Sequence, residues 1–108
     1  MDTAIQTELD TIKKIIVDSV PVEQIYLFGS RVYGDPHKDS DLDLYVVLKD
    51  EVQMRDIDAA ITIRLAICEQ QTMPMDVLVM KNRHYRERAT APTLERKVAR
   101  EGILIYEA

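Results

Sequence analysis

The sequence predicts an α/β fold of the α+β type, carried by a single domain over residues 1–108. Three observations point there. The opening segment repeats apolar residues at helical spacing, which a strand cannot use. Three short apolar runs, at 24–28, 41–48 and 75–80, have strand length and strand composition. The intervening stretches are long enough, and charged enough on one side, to be helices that cover a sheet. A chain of 108 residues has room for one modest core and none for a separate substrate domain.

In chain order, Ile5, Leu9, Ile12, Ile15 and Ile16 recur every three or four residues, which predicts an amphipathic helix to about Asp18. Pro21 ends it. Gln24 to Phe28 is apolar, aromatic and bounded by Gly29, so it predicts a buried strand with a Gly-Ser turn at its carboxyl end. Arg31-Val32-Tyr33 suits a short helix stopped by Gly34, and residues 35–39 carry turn chemistry. Asp41 to Leu48 predicts a second strand, with Asp41, Asp43, Tyr45 and Val47 on one face and Leu42, Leu44, Val46 and Leu48 on the other.

Asp50 is the expected N-cap of a helix from Glu51 to Gln71, whose inward stripe is read as Ile57, Ala60, Ile61, Leu65 and Cys68. The alternation of Ile61, Ile63, Leu65 and Ile67 would also suit a strand, and length favours the helix. Met75 to Met80 predicts a third strand, apolar but for Asp76. Helices are expected near 82–89 and 93–100, the second starting after Pro92 and stopping at Gly102. Ile103 to Tyr106 should dock on the body.

Charge narrows the function. The formal net charge is −5, with seven basic and fifteen acidic residues up to position 80, then seven basic and three acidic between 81 and 101. The acidic body argues against general nucleic-acid binding, which depends on neutralising many phosphates. The basic segment reads as a solvated face able to meet a nucleotide or an acidic partner. One cysteine, Cys68, excludes an internal disulfide and a cysteine-rich zinc site, and its apolar neighbours predict core packing. His37 and His84 read as solvated surface groups. The amino terminus lacks a signal-peptide pattern and no apolar run reaches the roughly 20 residues of a membrane span, so a cytoplasmic protein is expected.

The chemistry concentrates in Gly29-Ser30-Arg31 and in Asp41, Asp43 and Asp76. Glycine lets a phosphate approach the backbone, Ser30 can donate its hydroxyl and amide, and Arg31 can add charge. Asp41 and Asp43, about 6.6 Å apart along one strand face, can share a small cation cluster. Asp76, an acid in an apolar run, needs compensation: either an arginine or amide partner, or a place in the same cluster. Three clustered carboxylates repel, and a pair of Mg2+ ions would relieve this while leaving positions open for phosphate oxygens. Such a pair suits in-line displacement at phosphorus without a histidine base.

Rival motifs fail. Asp35-Pro36 stands where a P-loop needs Lys-Ser/Thr, and Leu44 stands at the glycine a calcium loop requires. The Arg31–His37 spacing matches some helical ribonucleases, but Gly34 and Pro36 break the helix it needs.

Gly29-Ser30, ten residues, then Asp41-Leu42-Asp43 resembles the signature of the DNA polymerase β-like nucleotidyltransferases. Over nearly its whole length the chain is similar to the minimal nucleotidyltransferase branch, including antitoxins of the MntA type, with Asp76 at the third acid and a familiar ending from Arg100 to Glu107. The resemblance implies a small mixed β-sheet flanked by helices, two Mg2+ held by Asp41, Asp43 and Asp76, and Gly29-Ser30 on the triphosphate of ATP. It further implies an antitoxin that transfers AMP to a tyrosine of a partner HEPN-domain toxin. The missing acceptor domain fits a partner-supplied acceptor. Two alternatives stand beside this: transfer to a small hydroxylated molecule such as an aminoglycoside, and neutralisation by binding alone. A homodimer and a hetero-oligomer both stay open.

Overall fold

The computed structural model describes residues 3–29, 42–70 and 74–108. Among the described residues eight elements occur in chain order: α1 (Thr3–Ser19), β1 (Val22–Phe28), β2 (Leu42–Leu48), α2 (Asp56–Ile67), β3 (Met75–Lys81), α3 (Asn82–Arg88), α4 (Leu94–Glu101) and β4 (Ile103–Glu107). The strands form one sheet in the order β3-β2-β1-β4. β1 lies antiparallel to β2 and β4, whereas β2 and β3 are parallel. The small mixed sheet is therefore as expected, and α2 is the crossover that a parallel pair requires.

Alternation along β2 separates the two layers. Leu42, Leu44, Val46 and Leu48 join Leu9, Ile12 and Ile16 of α1 and Ala59, Ile63 and Ile67 of α2 in one buried cluster. Tyr45 and Val47 turn the other way, into a second cluster with Phe28, Tyr85 of α3 and Val98 of α4. Helices α1 and α2 thus cover one face and α3 and α4 the other. Asp43, in phase with Tyr45, sits on the α3/α4 face, as the alternation predicts. The apolar tail docks as β4, an edge strand whose Ile103 and Leu104 stay 46% and 42% exposed.

Three expectations need correction. Helix α2 starts at Asp56 and buries Ala59, Ile63 and Ile67, while Ile57, Ile61 and Leu65 face outward. The segment is apolar on two sides, so two helical registers fit it, and the sheet accepts the one led by the small Ala59. Cys68 is consequently exposed, with its thiol donating to the Leu65 carbonyl at 3.3 Å. Asp50 does not cap α2, whose N-cap is Arg55. Its Oδ1 instead accepts the backbone N–H of Arg83 at 2.7 Å, capping α3 from thirty-three residues away. The third correction concerns Asp76: β3 is a sheet edge and the residue is exposed, so no desolvation demand acts on it.

Candidate functional site

The site is assembled where β1 ends and β2 and β3 begin. Phe28 is paired with Asp43, and Asp43 in turn with Asp76. Neighbouring strands are about 4.8 Å apart, so the two acids stand side by side. Both project from the face that carries Tyr45, Leu78 and Met80, the latter two packing on the second cluster. This juxtaposition comes from strand register alone.

Gly29 follows at φ +92°, the one positive φ among the described residues. A Cβ there would lie 2.9 Å from Cγ of Asp43 and 3.2 Å from its Cβ. Glycine is needed twice over, for a backbone that side chains rarely tolerate and for the space the Asp43 carboxylate fills. The Gly-Ser turn and the second acid are parts of one packing unit.

Asp76 has a partner that its neighbours in sequence do not announce. Arg64 of α2 donates from Nη2 to Asp76 Oδ1 at 3.1 Å and to the Val77 carbonyl at 3.1 Å. Since α2 covers the opposite face, the Arg64 side chain passes around the outer edge of β3 to reach this acid. The pair is half exposed on both sides, so water screens it and its net worth is small, roughly 0–1 kcal/mol. It nonetheless balances one of two adjacent acids and places a charge on an open sheet edge, which discourages edge-to-edge pairing.

Behind Asp43 stands a more rigid network. Tyr45 donates its hydroxyl to Glu95 Oε2 at 2.9 Å, and Arg88 Nε donates to Glu95 Oε1 at 2.8 Å. Glu95 is only 5% exposed, so these bonds supply what water cannot. Burial alone would raise the Glu95 carboxyl, but the Arg88 and Tyr45 hydrogen bonds hold it below the usual carboxylate range. Burial, helped by Glu95, pushes the Tyr45 phenol well above its ordinary range. The Tyr45 ring also meets Tyr85 at 5.3 Å and Phe28 edge-on at 6.3 Å. A neutral aromatic wall therefore backs the strand on which Asp43 sits.

Of the residues expected in the site, the structure brings together Gly29, Asp43 and Asp76. Ser30, Arg31 and Asp41 lie outside the described residues. Among the described residues no group of three His, Cys, Asp or Glu is placed to hold a metal ion. The donors that do meet are hard carboxylate oxygens on adjacent strands, a set that fits Mg2+ rather than a thiolate- or imidazole-seeking metal. Arg64, Glu95 and Arg88 were not foreseen. An arginine partner for Asp76 is one of the two expectations stated for that acid, and Arg64 fills it; for Glu95 and Arg88 the signal is the alternation that puts Tyr45 on the Asp43 face.

The family described as Polymerase beta, Nucleotidyltransferase matches residues 10–108, and the chain belongs to it. It is a nucleotidyltransferase domain, as the Gly-Ser and Asp-x-Asp spacing led one to expect. Solved structures add likeness of fold. A Sulfolobus solfataricus protein assigned as a nucleotidyltransferase is 21% identical, with 99% of this chain and 89% of that one covered and a TM-score of 0.55. A mutant of the toxin-antitoxin MntA-HpeT with two aspartates changed to glutamate is 21% identical, with 92% and 73% covered and a TM-score of 0.63. A toxin-antitoxin structure with AMP-PNP is 24% identical over the same shares, again with a TM-score of 0.63. No curated protein sequence matches the chain. Among the described residues no helix is long and apolar enough to cross a membrane.

Proposed function

We propose that this protein is a Mg2+-dependent nucleotidyltransferase that moves AMP from ATP to a tyrosine hydroxyl of a HEPN-domain toxin, releasing pyrophosphate and thereby acting as its antitoxin. One observation carries the reading: register places Asp43 beside Asp76, and Gly29 admits the Asp43 carboxylate at the end of β1. The likeness to a toxin-antitoxin structure with AMP-PNP supports an adenine nucleotide and a toxin partner.

In this reading Asp41, Asp43 and Asp76 hold the metal, and Ser30 with the adjoining backbone and Arg31 engages the triphosphate. Bound Mg2+ supplies Lewis acidity toward the phosphate and acceptor oxygens. The acceptor oxygen forms a bond to the α-phosphorus, the bond from that phosphorus to the pyrophosphate oxygen breaks, and the hydroxyl proton passes to solvent. The protein's contribution is placement: Gly29 and the wall of Tyr45 and Phe28 hold Asp43 still, and the Arg64 bond orients Asp76.

The test is incubation of the chain with Mg2+, ATP labelled on the α-phosphate, and the candidate toxin. Label on a toxin tyrosine, lost in Asp43→Asn, is the expected result. An unlabelled toxin that Asp43→Asn neutralises as well as the wild type does would overturn the catalytic reading in favour of binding alone.

A further inference from the structure

Helix α4 turns a cationic groove outward. It buries Glu95 and Val98, so Thr93, Arg96, Lys97 and Arg100 lie on its opposite side. With Pro92 and Glu101 at the two ends they line a surface groove of about 480 Å³. From 92 to 101 the groove runs roughly 13 Å. Three cations meet one acid there. Arg88, which also reaches α4, is already paired with Glu95. Arg96 and Arg100, by contrast, have no ion pair among the described residues, although acids outnumber bases nineteen to fourteen in the chain.

This helix is anchored beside the site at both ends. Glu95 accepts the hydroxyl of Tyr45, two residues from Asp43. At the other end Gly102 lies against Leu27, two residues from Gly29, and a Cβ on Gly102 would come 3.4 Å from the Leu27 carbonyl oxygen. The groove opens on the outer side of α4, a helix diameter of roughly 10 Å above the sheet face that carries Asp43. Phosphates that meet Asp43 therefore do not occupy it.

We infer that the α4 groove docks an acidic segment of the protein that supplies the acceptor hydroxyl. This surface rests on the transfer to a protein acceptor proposed above and says how that acceptor is held. Arg96 and Arg100, four apart on a helix, stand roughly 6 Å apart at Cβ. Carboxylates two apart on an extended segment repeat at roughly 6.6 Å, so one segment can meet both guanidinium forks. Residues up to 80 hold fifteen acids against seven bases, so the remaining surface repels an acidic partner while this layer attracts it, which orients the encounter. Nucleic acid is the poorer fit, because two arginines and a lysine on an acidic body neutralise too few phosphates.

The first probe is a short peptide of alternating Ala and Glu, titrated into the nitrogen-15-labelled full chain at low salt. Amide shifts should concentrate between Thr93 and Glu101, and raising salt to about 0.3 M should weaken the binding. Arg96→Ala with Arg100→Ala should weaken it by about 5-fold or more, as loss of two exposed charge pairs predicts. Arg96→Gln with Arg100→Gln should do the same, and both pairs should keep the far-ultraviolet dichroism of the wild type. Lys13→Ala with Lys14→Ala removes equal charge from α1, on the opposite sheet face, and should change the affinity by less than about 2-fold. The second probe is the candidate toxin. The arginine pair should weaken toxin binding without nucleotide and slow labelling at low toxin concentration by about 10-fold. Asp43→Asn should abolish labelling yet keep the binding. Toxin held through the groove but never labelled by the wild type would overturn the transfer and leave the docking surface standing. Labelling indifferent to the arginine pair would overturn the docking surface and leave the transfer. Peptide shifts outside α4, equal weakening by the lysine pair, or tighter binding of a uridine oligonucleotide than of the peptide would each overturn the docking surface too.

Discussion

Replacing Gly29 by alanine isolates the packing unit at the heart of the site. Two costs arise. The backbone at φ +92° disfavours any Cβ, by about 1–3 kcal/mol. The new methyl also invades the space of the Asp43 side chain, coming 2.9 Å from its Cγ, and overpacking of that kind costs about 1–3 kcal/mol more. The single substitution should therefore lose about 2–6 kcal/mol, a fall in Tm of roughly 8–24 °C at about 4 °C per kcal/mol.

Asp43→Ala in the same chain removes the obstacle but not the backbone cost. The double variant should recover about 1–3 kcal/mol relative to the sum of the two single changes. Urea unfolding of all four proteins without Mg2+ reads this directly, with the slope checked for constancy. Additivity within about 0.5 kcal/mol would refute the claim that Gly29 exists to admit Asp43.

Other outcomes follow from single contacts. Asp50→Ala should cost about 0.5–2 kcal/mol, with the loss of amide protection confined to the start of α3 and α2 unaffected; loss of protection in α2 would contradict the cap assignment. Glu95→Gln should cost about 1–3 kcal/mol at neutral pH, because it weakens two hydrogen bonds to a buried carboxylate. The depressed Glu95 carboxyl contributes stability that is present above about pH 4.3 and lost as pH falls through its folded value, so the variant should show a shallower acid loss in pH-dependent melting. Tyr45 has the opposite sign: its raised phenol stabilises the fold below about pH 10, and Tyr45→Phe should flatten the alkaline loss that begins there. Asp43→Asn should raise metal-free Tm slightly by relieving repulsion with Asp76 and abolish any stabilisation by Mg2+; an unchanged melting point under both conditions would count against a shared acid site.

Much of this architecture is legible because local chemistry decides it. Pro21, Gly29, Pro74, Pro92 and Gly102 each mark an element boundary, and a described element begins or ends within two residues of each of them. The face carrying Asp43 is legible for the same reason, since alternation along β2 is a property of one strand. What escaped notice depends on contacts between distant segments. Arg64 reaches Asp76 around a sheet edge, and Asp50 caps a helix beyond the next strand. Neither leaves a local trace. The inward face of α2 was misassigned because Ile57, Ile61 and Leu65 obey the same spacing as Ala59, Ile63 and Ile67, and periodicity cannot say which row meets the sheet.

The distant cap on α3 bears on the order in which the molecule forms. Seven residues are too few to hold a helix in water, since nucleation costs more than so short a ladder returns. Helix α3 therefore waits for Asp50, at the turn leaving β2, and for the aromatic surface that Tyr45 offers to Tyr85. Both become available only when β2 and β3 have paired across the α2 crossover. The Tyr85 amide thus becomes a reporter: its hydrogen exchange should slow only after that of β2, and any perturbation that parts β2 from β3 should expose it.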